Sequence, residues 1–346
     1  MELNIRFNKL LIMDFSHALH RNISLTNLWE MRDNYGRRTG AVFGSLNTLL
    51  KECNKFSGYF PVAVFDGHLS QRRLSIYENY KNYKDKNTLT ENYQSQSDYA
   101  LYKAEERAEY IRQRELVKEI LIAFGVPVIH LDDWEGDDLI YALVAMTKDS
   151  IIVSDDKDML QLLDDAPNHI CKVHRGMCEE FWDVQKLKTD LDMTPSEFIA
   201  CKAILGDTSD NIPKACADVG DKTVLDLYKL YMMCTQNNKP FPVIKEQLSD
   251  YCNLYGIAKR SAYLNFNENQ FLVNLLLMDL SLVKQDLDAS VIEVICNAID
   301  TRELYVDYKQ GNDLLLDLNI QTYNVQGLLN NLYISKPNIY VDNRPE

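Results

Sequence analysis

The chain has 346 residues, 46% of them hydrophobic, and a formal net charge of −14 at pH 7. Length and composition allow one large domain with a buried core and a smaller second one. No run of 18 apolar residues occurs, which excludes a membrane-spanning helix, and we expect no membrane partner. The negative charge excludes binding of nucleic acid through overall charge, so phosphate contacts must depend on local Lys and Arg clusters.

The first residues, MELNIRFNKLLIMDF, lack the layout of a signal peptide. We therefore expect a cytoplasmic protein. The eight cysteines are scattered without a CxxC pair, which indicates reduced and mostly buried thiols.

Short apolar runs alternate with longer amphipathic segments. The runs, which predict strands buried on both faces, lie at 9–15, 61–65, 126–131 and 150–154. The segments of helix length lie at 38–56, 98–124 and 135–147. This alternation predicts an α/β fold, a mostly parallel twisted sheet with helices on both faces.

Acidic residues gather in five short patches, each at the end of an apolar run. They are Asp14, then Asp66, then Glu135, Asp137 and Asp138, then Asp156 and Asp158, then Asp207 and Asp210. In parallel sheets ligands collect at the carboxyl ends of the strands. Two bare carboxylates about 4 Å apart repel by roughly 4 kcal/mol at an effective dielectric near 20, so a cluster must hold cations or protons. Ligands that are all oxygen select Mg²⁺ or Mn²⁺ over zinc, which predicts a two-metal hydrolase.

Each patch also has a plainer interpretation. A single Asp at a strand end is often a helix cap or turn residue, and the patch at 135–138 could be an acidic first turn. Five such patches are poorly explained as independent accidents, so we favour the metal site. The segment HICKVHRGMC predicts a β-hairpin turning at Arg175 and Gly176. Its alternative is a zinc site, although the spacing fits no common zinc motif. The residues concerned are His169, Cys171, His174 and Cys178.

The order IMDFS, VFDG with NYKNYK downstream, EGDD, VSDDKDMLQL and ILGDTSDNIP resembles the structure-specific 5′ nucleases. These comprise flap endonucleases, the 5′-nuclease domain of bacterial DNA polymerase I, and bacteriophage 5′→3′ exonucleases, some called phage ribonuclease H. The resemblance runs from about residue 9 to 235, and the segment at 269–283 is also similar to the phage members. It implies a PIN-like nuclease core at 1–195 with a helical arch at about 82–110. A helix-three-turn-helix region for DNA binding at 196–284 and a C-terminal helical extension and tail at 285–346 would follow.

The resemblance also assigns the acidic residues to two ions. One ion would be surrounded by Asp66, Glu135, Asp137, Asp138 and Asp156. The other would be held or oriented by Asp158, Asp207 and Asp210, with Asp14 acting partly through water. Phosphodiester hydrolysis places charge on the attacking and the leaving oxygen, and two ions stabilise both. Asp156 is the central ligand whose loss should abolish the reaction.

Basic residues after the second strand match the base of the arch. Lys81 corresponds to a residue beside the scissile phosphate and is the better candidate for transition-state stabilisation. Lys84 stands where the family usually has Arg, and Lys lacks the same bidentate contact. Tyr80 matches an aromatic position near the reacting nucleotide, and Arg73 matches another basic position.

The arch region is polar, lacks Pro and Gly, and carries tyrosines that could stack on unpaired bases. They are Tyr93, Tyr99, Tyr102 and Tyr110. For Tyr99 and Tyr102, packing on the core is the alternative.

The segment SDNIPKACADVGDKTVLDLYKLY resembles the helix-three-turn-helix that grips duplex DNA with a bound monovalent cation, often K⁺. The usual loop is rich in glycine, whereas this one has only Gly220 and is one residue longer. Binding of K⁺ is therefore left open here. The basic residues around it predicted to lie near phosphate are Lys202, Lys214 and Lys222.

We therefore predict a divalent-metal-dependent 5′→3′ exonuclease or flap endonuclease. Its substrates would be DNA with a 5′ flap or 5′ end and RNA in RNA–DNA hybrids, an RNase H activity, during primer removal in phage replication. It would act as a monomer, with a sliding clamp or single-strand-binding protein as candidate partners. The alternatives are a PIN-type RNA endonuclease and a catalytically inactive DNA-binding replication protein.

Overall fold

A computed structural model describes residues 4–82, 96–163, 169–175, 178–235, 246, 250, 263, 265–299 and 306–335. The chain divides into two compact units. The first, here called the sheet unit, contains Met1–Leu69, Lys86–Asp183 and Val283–Glu346. The second, the helical unit, contains Ser70–Asp85 and Val184–Leu282. The domain boundaries expected from the sequence, 195 and 284, stay predictions.

The sheet unit is built on one six-stranded sheet with the strand order β3-β2-β1-β4-β5-β6. Its strands are β1 Phe7–Asp14, β2 Phe60–Val64, β3 Val128–Ile129, β4 Thr147–Val153, β5 His169–Arg175 and β6 Cys178–Trp182. Neighbouring strands are parallel except for β5 and β6. Residues 10–13 of β1 and all of β2 are buried, and these stretches are entirely apolar, as expected for strands covered on both faces. The predicted α/β fold with a mostly parallel sheet is confirmed.

Strands β5 and β6 form the predicted hairpin, in which Arg175 pairs with Cys178. The turn residue Gly176 and the side chains of the alternative zinc site lie outside the described part of the structure.

Thirteen α-helices lie in the described part of the chain. They are α1 Phe15–Ile23, α2 Thr26–Trp29, α3 Gly40–Lys55, α4 Gln71–Ile76, α5 Gln96–Ala123, α6 Gly136–Ala145, α7 Val184–Leu191, α8 Pro195–Leu205, α9 Val224–Thr235, α10 Glu268–Met278, α11 Ala289–Ile299, α12 Tyr308–Asp317 and α13 Val325–Ile334. Two 3₁₀ helices span Lys157–Leu162 and Leu280–Gln285. None of these helices is long and apolar enough to cross a membrane.

In the sheet unit, α1 packs against α3, and the C-terminal helices α12 and α13 pack against α5 and α3. Two long-range contacts fasten this C-terminal segment. Arg37 forms an ion pair with Asp317 at 2.7 Å, and Asn331 donates to Asn54 at 2.7 Å. The C-terminal helices are therefore part of the sheet unit. Helix α5 contains the end of the predicted arch, while residues 83–95 lie outside the described residues.

In the helical unit, α8 packs against both α9 and α10, and α10 also contacts α4. An aromatic cluster joins α9 to α10, with the rings of Tyr231 and Phe271 5.5 Å apart and those of Phe266 and Phe271 5.7 Å apart. Helix α8 begins with a capping box, in which Thr194 and Glu197 satisfy each other's backbone N–H groups, followed by Pro195. Helices α8 and α9 flank the loop predicted to grip duplex DNA.

Candidate functional site

Asp14 ends β1 and caps α1. Its Oδ1 accepts the backbone N–H of His17 at 3.0 Å, and its Oδ2 accepts the hydroxyl of Ser154 at 2.7 Å. The residue is only 6% exposed. Burial raises the pKa of Asp14 to about 6, against the opposing charge of His17. A carboxylate in this environment becomes fully charged more readily when a cation is near.

Asp66 follows β2 and contacts the start of α6. Its backbone N–H donates to the Ser16 hydroxyl at 2.8 Å, and its Oδ1 accepts the N–H of Gly136 at 2.7 Å. A Cβ atom at Gly136 would lie 2.8 Å from this Oδ1, so only glycine allows the approach. Asp66 is thereby held at a helix N-terminus, where the helix dipole favours negative charge.

Three of the predicted ligands lie in the first turn of α6. Glu135 is the N-cap residue and is buried, and its N–H donates to Asp138 Oδ2 at 3.3 Å. Asp137 is half-buried. The plainer interpretation, an acidic capped helix turn, therefore accounts for the contacts of Glu135 and Asp138. The same capping contacts also orient these two carboxylates.

Asp156 and Asp158 follow β4 at the start of a 3₁₀ helix. Asp156 Oδ1 accepts the N–H of Asp158 at 2.7 Å, and the N–H of Asp156 donates to the Ser154 hydroxyl at 3.0 Å. Ser154 thus connects Asp14 on β1 with the backbone of Asp156 after β4. The sequence analysis missed Ser154, whose only signal was its place as the first residue of the SDDKD string.

The pKa of His17 is affected by carboxylates at the ends of several strands. Burial lowers the pKa of His17, but the carboxylates of Asp14, Asp156, Asp66 and Asp155 outweigh burial and raise this pKa above its ordinary value. Since β1, β2 and β4 are adjacent in the sheet, their carboxyl ends place these charges around one imidazole. The structure therefore brings the predicted ligands of three strands to one edge.

The donor set at this edge fits a hard divalent cation, because it consists of carboxylate oxygens and includes a buried Asp14 of raised pKa. Among the described residues, no group of three or more His, Cys, Asp or Glu side chains is already arranged to hold an ion. The number of ions and their individual ligands stay predictions.

Asp207 and Asp210 belong to the helical unit, in a loop at 207–212 that we call the acid loop. Backbone bonds between Asp207 and Ile212, at 3.0 and 2.7 Å, close it. Gly206 precedes it with φ of 67°, and a Cβ atom there would lie 2.6 Å from the Ile212 oxygen. Burial opposes the charge of Asp207, but hydrogen bonds from Ser209 and the charge of Lys202 lower its pKa. Asp207 is therefore ionised at neutral pH.

The segment at 79–81 is fastened to the acid loop. The N–H of Lys81 donates to the Asp210 carbonyl oxygen at 2.9 Å, and Asn211 Nδ2 donates to the Asn79 carbonyl oxygen at 2.9 Å. The Tyr80 hydroxyl lies 3.4 Å from Asp210 Oδ2. Lys84, the second predicted basic residue, lies outside the described residues.

Arg73 is 3% exposed. Its Nε donates to the Leu277 carbonyl oxygen at 2.9 Å, and its guanidinium lies 5.9 Å from the centre of the Tyr80 ring. Arg73 thus supports the residue next to Lys81 from inside the helical unit, and its DNA contact stays a prediction.

The residues predicted near duplex phosphates have varied surroundings. Lys202 lies 3.4 Å from Asp207 Oδ2, and Lys214 Nζ donates to the Val219 carbonyl oxygen at 3.4 Å. Gly220 accepts the N–H of residue 224 at 3.0 Å in the turn before α9, and Lys222 is exposed.

Asn274 was also missed by the sequence analysis. Its side chain is fully buried on α10, and Nδ2 donates to the carbonyl oxygens of Ala203 at 2.7 Å and Pro213 at 2.8 Å. These carbonyls lie on either side of the acid loop, so Asn274 fastens both of its ends.

Two tyrosines of the predicted arch have intramolecular ring partners. The ring of Tyr102 lies 5.7 Å from that of Trp29, and the ring of Tyr110 stacks on His20 at 3.9 Å. Burial raises the pKa of Tyr110 to about 12. For Tyr102, packing within the protein is thus the alternative that the structure favours. The side chains of Tyr93 and Tyr99 lie outside the described residues.

The sequence model of the family described as 5′-3′ exonuclease, N-terminal resolvase-like domain, matches residues 9–192. DNA polymerase I of Caldicellulosiruptor bescii is 28% identical over 250 residues, which cover 70% of this chain and 27% of that protein. The 5′-3′ exonuclease of Buchnera aphidicola subsp. Schizaphis graminum is 28% identical over 227 residues, 64% of this chain and 70% of that protein. The chain spans about a quarter of the length of the polymerase relatives that it matches.

Two solved structures share the fold. The T5 D15 protein co-crystallised with metal ions has a TM-score of 0.58 and 18% identity, covering 90% of this chain and 100% of that one. Flap endonuclease-1 from Methanococcus jannaschii has a TM-score of 0.51 and 16% identity, covering 94% of this chain and 93% of that one.

Proposed function

The chain belongs to the 5′-3′ exonuclease family, and from this we propose that it hydrolyses phosphodiester bonds near the 5′ end of flap, nicked or primer-containing duplexes. The observation that carries this proposal is the gathering of Asp14, Asp66 and Asp156 at the carboxyl ends of three adjacent strands. Such a cluster of buried or half-buried carboxylates attracts hard cations, and no protein nucleophile is needed for a hydrolysis that uses them.

The cofactors that we propose are two Mg²⁺ or Mn²⁺ ions. When bound, such ions stabilise charge on the attacking and leaving oxygens and lower the pKa of a coordinated water. In the sheet unit, Asp66, Asp156 and the carboxylates of the first turn of α6 would hold one ion. The assignment of Asp158, Asp207 and Asp210 to the other ion comes from the family resemblance. A T5 D15 flap endonuclease of similar fold crystallised with DNA and metal ions, which supports metal ions as cofactors of this chain.

The chain's own groups orient these ligands. Ser154 donates to the Asp14 carboxylate and accepts from the backbone N–H of Asp156, so it ties the Asp14 carboxylate to the backbone that carries Asp156. Gly136 orients the Asp66 carboxylate by donating its N–H to Oδ1. Lys81 supplies a positive charge that would stabilise the charge developing on the scissile phosphate, and Lys84 would assist.

The substrate would be gripped through its duplex part by the helical unit. We propose that Lys202, Lys214 and Lys222, with the backbone at Gly220, contact duplex phosphates, and K⁺ is a candidate ion in that loop. RNA–DNA hybrids are included as substrates, which implies an RNase H activity in primer removal during phage replication. A sliding clamp or single-strand-binding protein would be the partner of a monomeric enzyme.

One experiment tests the proposal. The purified chain is incubated with 5′-labelled flap, nicked, gapped and RNA-primed duplexes, and with single-stranded RNA, in Mg²⁺ or in EDTA. We expect Mg²⁺-dependent products cut near the 5′ end of the duplex substrates, whose lengths report cut position and polarity. Cleavage of single-stranded RNA alone would instead identify a PIN-type RNA endonuclease, and DNA binding without any cleavage would identify an inactive binding protein.

A further inference from the structure

Asn211 has a left-handed backbone conformation and a side chain that bonds to a neighbouring segment. Its backbone has φ of 59°, in the left-handed region that Asn tolerates better than most residues. From this conformation its Nδ2 donates to the carbonyl oxygen of Asn79 at 2.9 Å. The Asn211 side chain therefore fastens the segment that carries Lys81 to the acid loop.

Lys81 needs such support, because its own backbone has φ of 52°. A non-glycine residue in this region persists only where surrounding contacts determine its conformation. The N–H of Lys81 donates to the Asp210 carbonyl oxygen at 2.9 Å, and the N–H of Asn82 donates to Asn79 at 3.1 Å. Both of these bonds are between main-chain atoms. The bond from Asn211 fastens the same turn through a side chain, and a substitution can remove it.

We propose that Asn211 is a positioning residue that holds the Lys81 backbone in its left-handed conformation and so directs the lysine at the scissile phosphate. The inference rests on the proposed function, which gives Lys81 a phosphate to stabilise. Without the Asn211 amide, the segment at 79–81 is held by fewer contacts, and the ammonium group occupies its working position for less of the time. Since a misplaced charge weakens transition-state stabilisation more than substrate binding, kcat should fall while KM changes little.

The decisive variant is Asn211→Gly. Glycine adopts a positive φ without strain, so the loop backbone is retained while the hydrogen bond to Asn79 is lost. We expect single-turnover cleavage of a 5′ flap to slow by roughly three- to tenfold, the range for loss of one hydrogen bond. Asn211→Asp, which tolerates the same backbone but cannot donate, should lose at least as much. The matched control is Asn319→Gly, because Asn319 has φ of 56° in the sheet unit, and it should cleave at the wild-type rate.

A double-mutant cycle separates positioning from general structural support. In a Lys81→Ala background there is no ammonium group to direct, so Asn211→Gly should slow cleavage no further. If Asn211→Gly slows cleavage by the same factor in both backgrounds, or leaves the wild-type rate unchanged, the inference is overturned.

Hydrogen exchange gives a readout that does not depend on cleavage. The amide of Lys81 should exchange faster in Asn211→Gly than in the wild-type protein, while amides of α9 should not change. Unchanged exchange at Lys81 would overturn the inference even if the rate fell. If the wild-type protein and the Lys81→Ala variant cleave at the same rate, the inference is overturned, but the proposed metal-dependent hydrolysis is not. If the wild-type protein cleaves none of the substrates, the proposed function itself is refuted.

Discussion

The backbone N–H of Lys81 donates to the carbonyl oxygen of Asp210 at 2.9 Å. A main-chain hydrogen bond thus connects Lys81, which is predicted to contact phosphate, with Asp210, which is predicted to hold or orient a cation. Tyr80, the residue before Lys81, is buried, and its hydroxyl lies 3.4 Å from the Asp210 carboxylate. Within the helical unit, the acid loop and the Lys81 backbone are thus held together, which would link the position of the predicted cation ligands to that of the positive charge.

Removal of Asp156 should abolish cutting. Asp156→Ala deletes a carboxylate at the carboxyl end of β4, and we expect the rate in Mg²⁺ to fall by about a thousandfold or more. Flap binding measured by fluorescence anisotropy in Ca²⁺ should stay within about twofold of wild type, because phosphate contacts come mainly from basic residues. The control is Asp149→Asn at the start of the same strand, where the carboxylate accepts from the Tyr59 hydroxyl at 2.9 Å. Undiminished activity of Asp156→Ala would remove Asp156 from the site.

Ser154 should set the apparent affinity for Mg²⁺. Ser154→Ala removes a donor to Asp14 and an acceptor for the Asp156 N–H, so both carboxylates lose orientation. We expect the Mg²⁺ concentration for half-maximal cleavage to rise by about 10- to 100-fold, the range for residues that orient metal ligands. Ser150→Ala, at a buried serine earlier on β4, is the matched control. An equal change in both variants would show that Ser154 has only a packing role.

The buried carboxyl of Asp14 should make the metal-free protein less stable as pH rises. Its pKa in the folded state is about 6, above the ordinary 3.8, so the folded state binds the proton more tightly than the unfolded state. This contribution is fully present below pH of about 4 and is lost as pH rises through about 6, amounting to about 2 to 3 kcal/mol.

Urea denaturation in EDTA between pH 4.5 and 7.5 measures this loss. In Asp14→Asn the loss should be absent, and in the wild-type protein added Mg²⁺ should offset it increasingly as pH rises. Parallel pH profiles for the two proteins in EDTA would contradict the assignment.

Lys222 should contribute to DNA binding without affecting stability, because it is exposed. Lys222→Ala should weaken binding of a flap duplex in Ca²⁺ and lower the slope of log affinity against log salt by about 1, the change for one lost phosphate contact. The thermal midpoint should not shift. An unchanged slope would indicate that Lys222 is an ordinary surface residue.

The sequence predicts local features of this protein well and long-range ones poorly. Apolar runs located β1, β2 and β4 within a few residues, because a strand buried on both faces has a distinctive composition. The acidic residues at their ends followed from the same local pattern. By contrast, the roles of Ser154 and Asn274 depend on partners brought close only by folding, and isolated Ser or Asn residues carry no pattern. The burial of Arg73 is another feature that its sequence neighbourhood does not predict, and its DNA contact stays a prediction.

Asn274 should be a major source of stability in the helical unit. Asn274→Leu keeps the branched shape and the number of heavy atoms of the side chain but leaves the carbonyls of Ala203 and Pro213 without their buried donor. We expect the free energy of unfolding to fall by about 2 to 4 kcal/mol, measured by urea denaturation in EDTA. Asn269→Leu, at an exposed position on the same helix, should change it by less than about 0.5 kcal/mol. Because the two carbonyls flank the acid loop, the loss should be accompanied by faster amide exchange at residues 207–212, and a stable variant with unchanged exchange would show that the loop is held by other contacts.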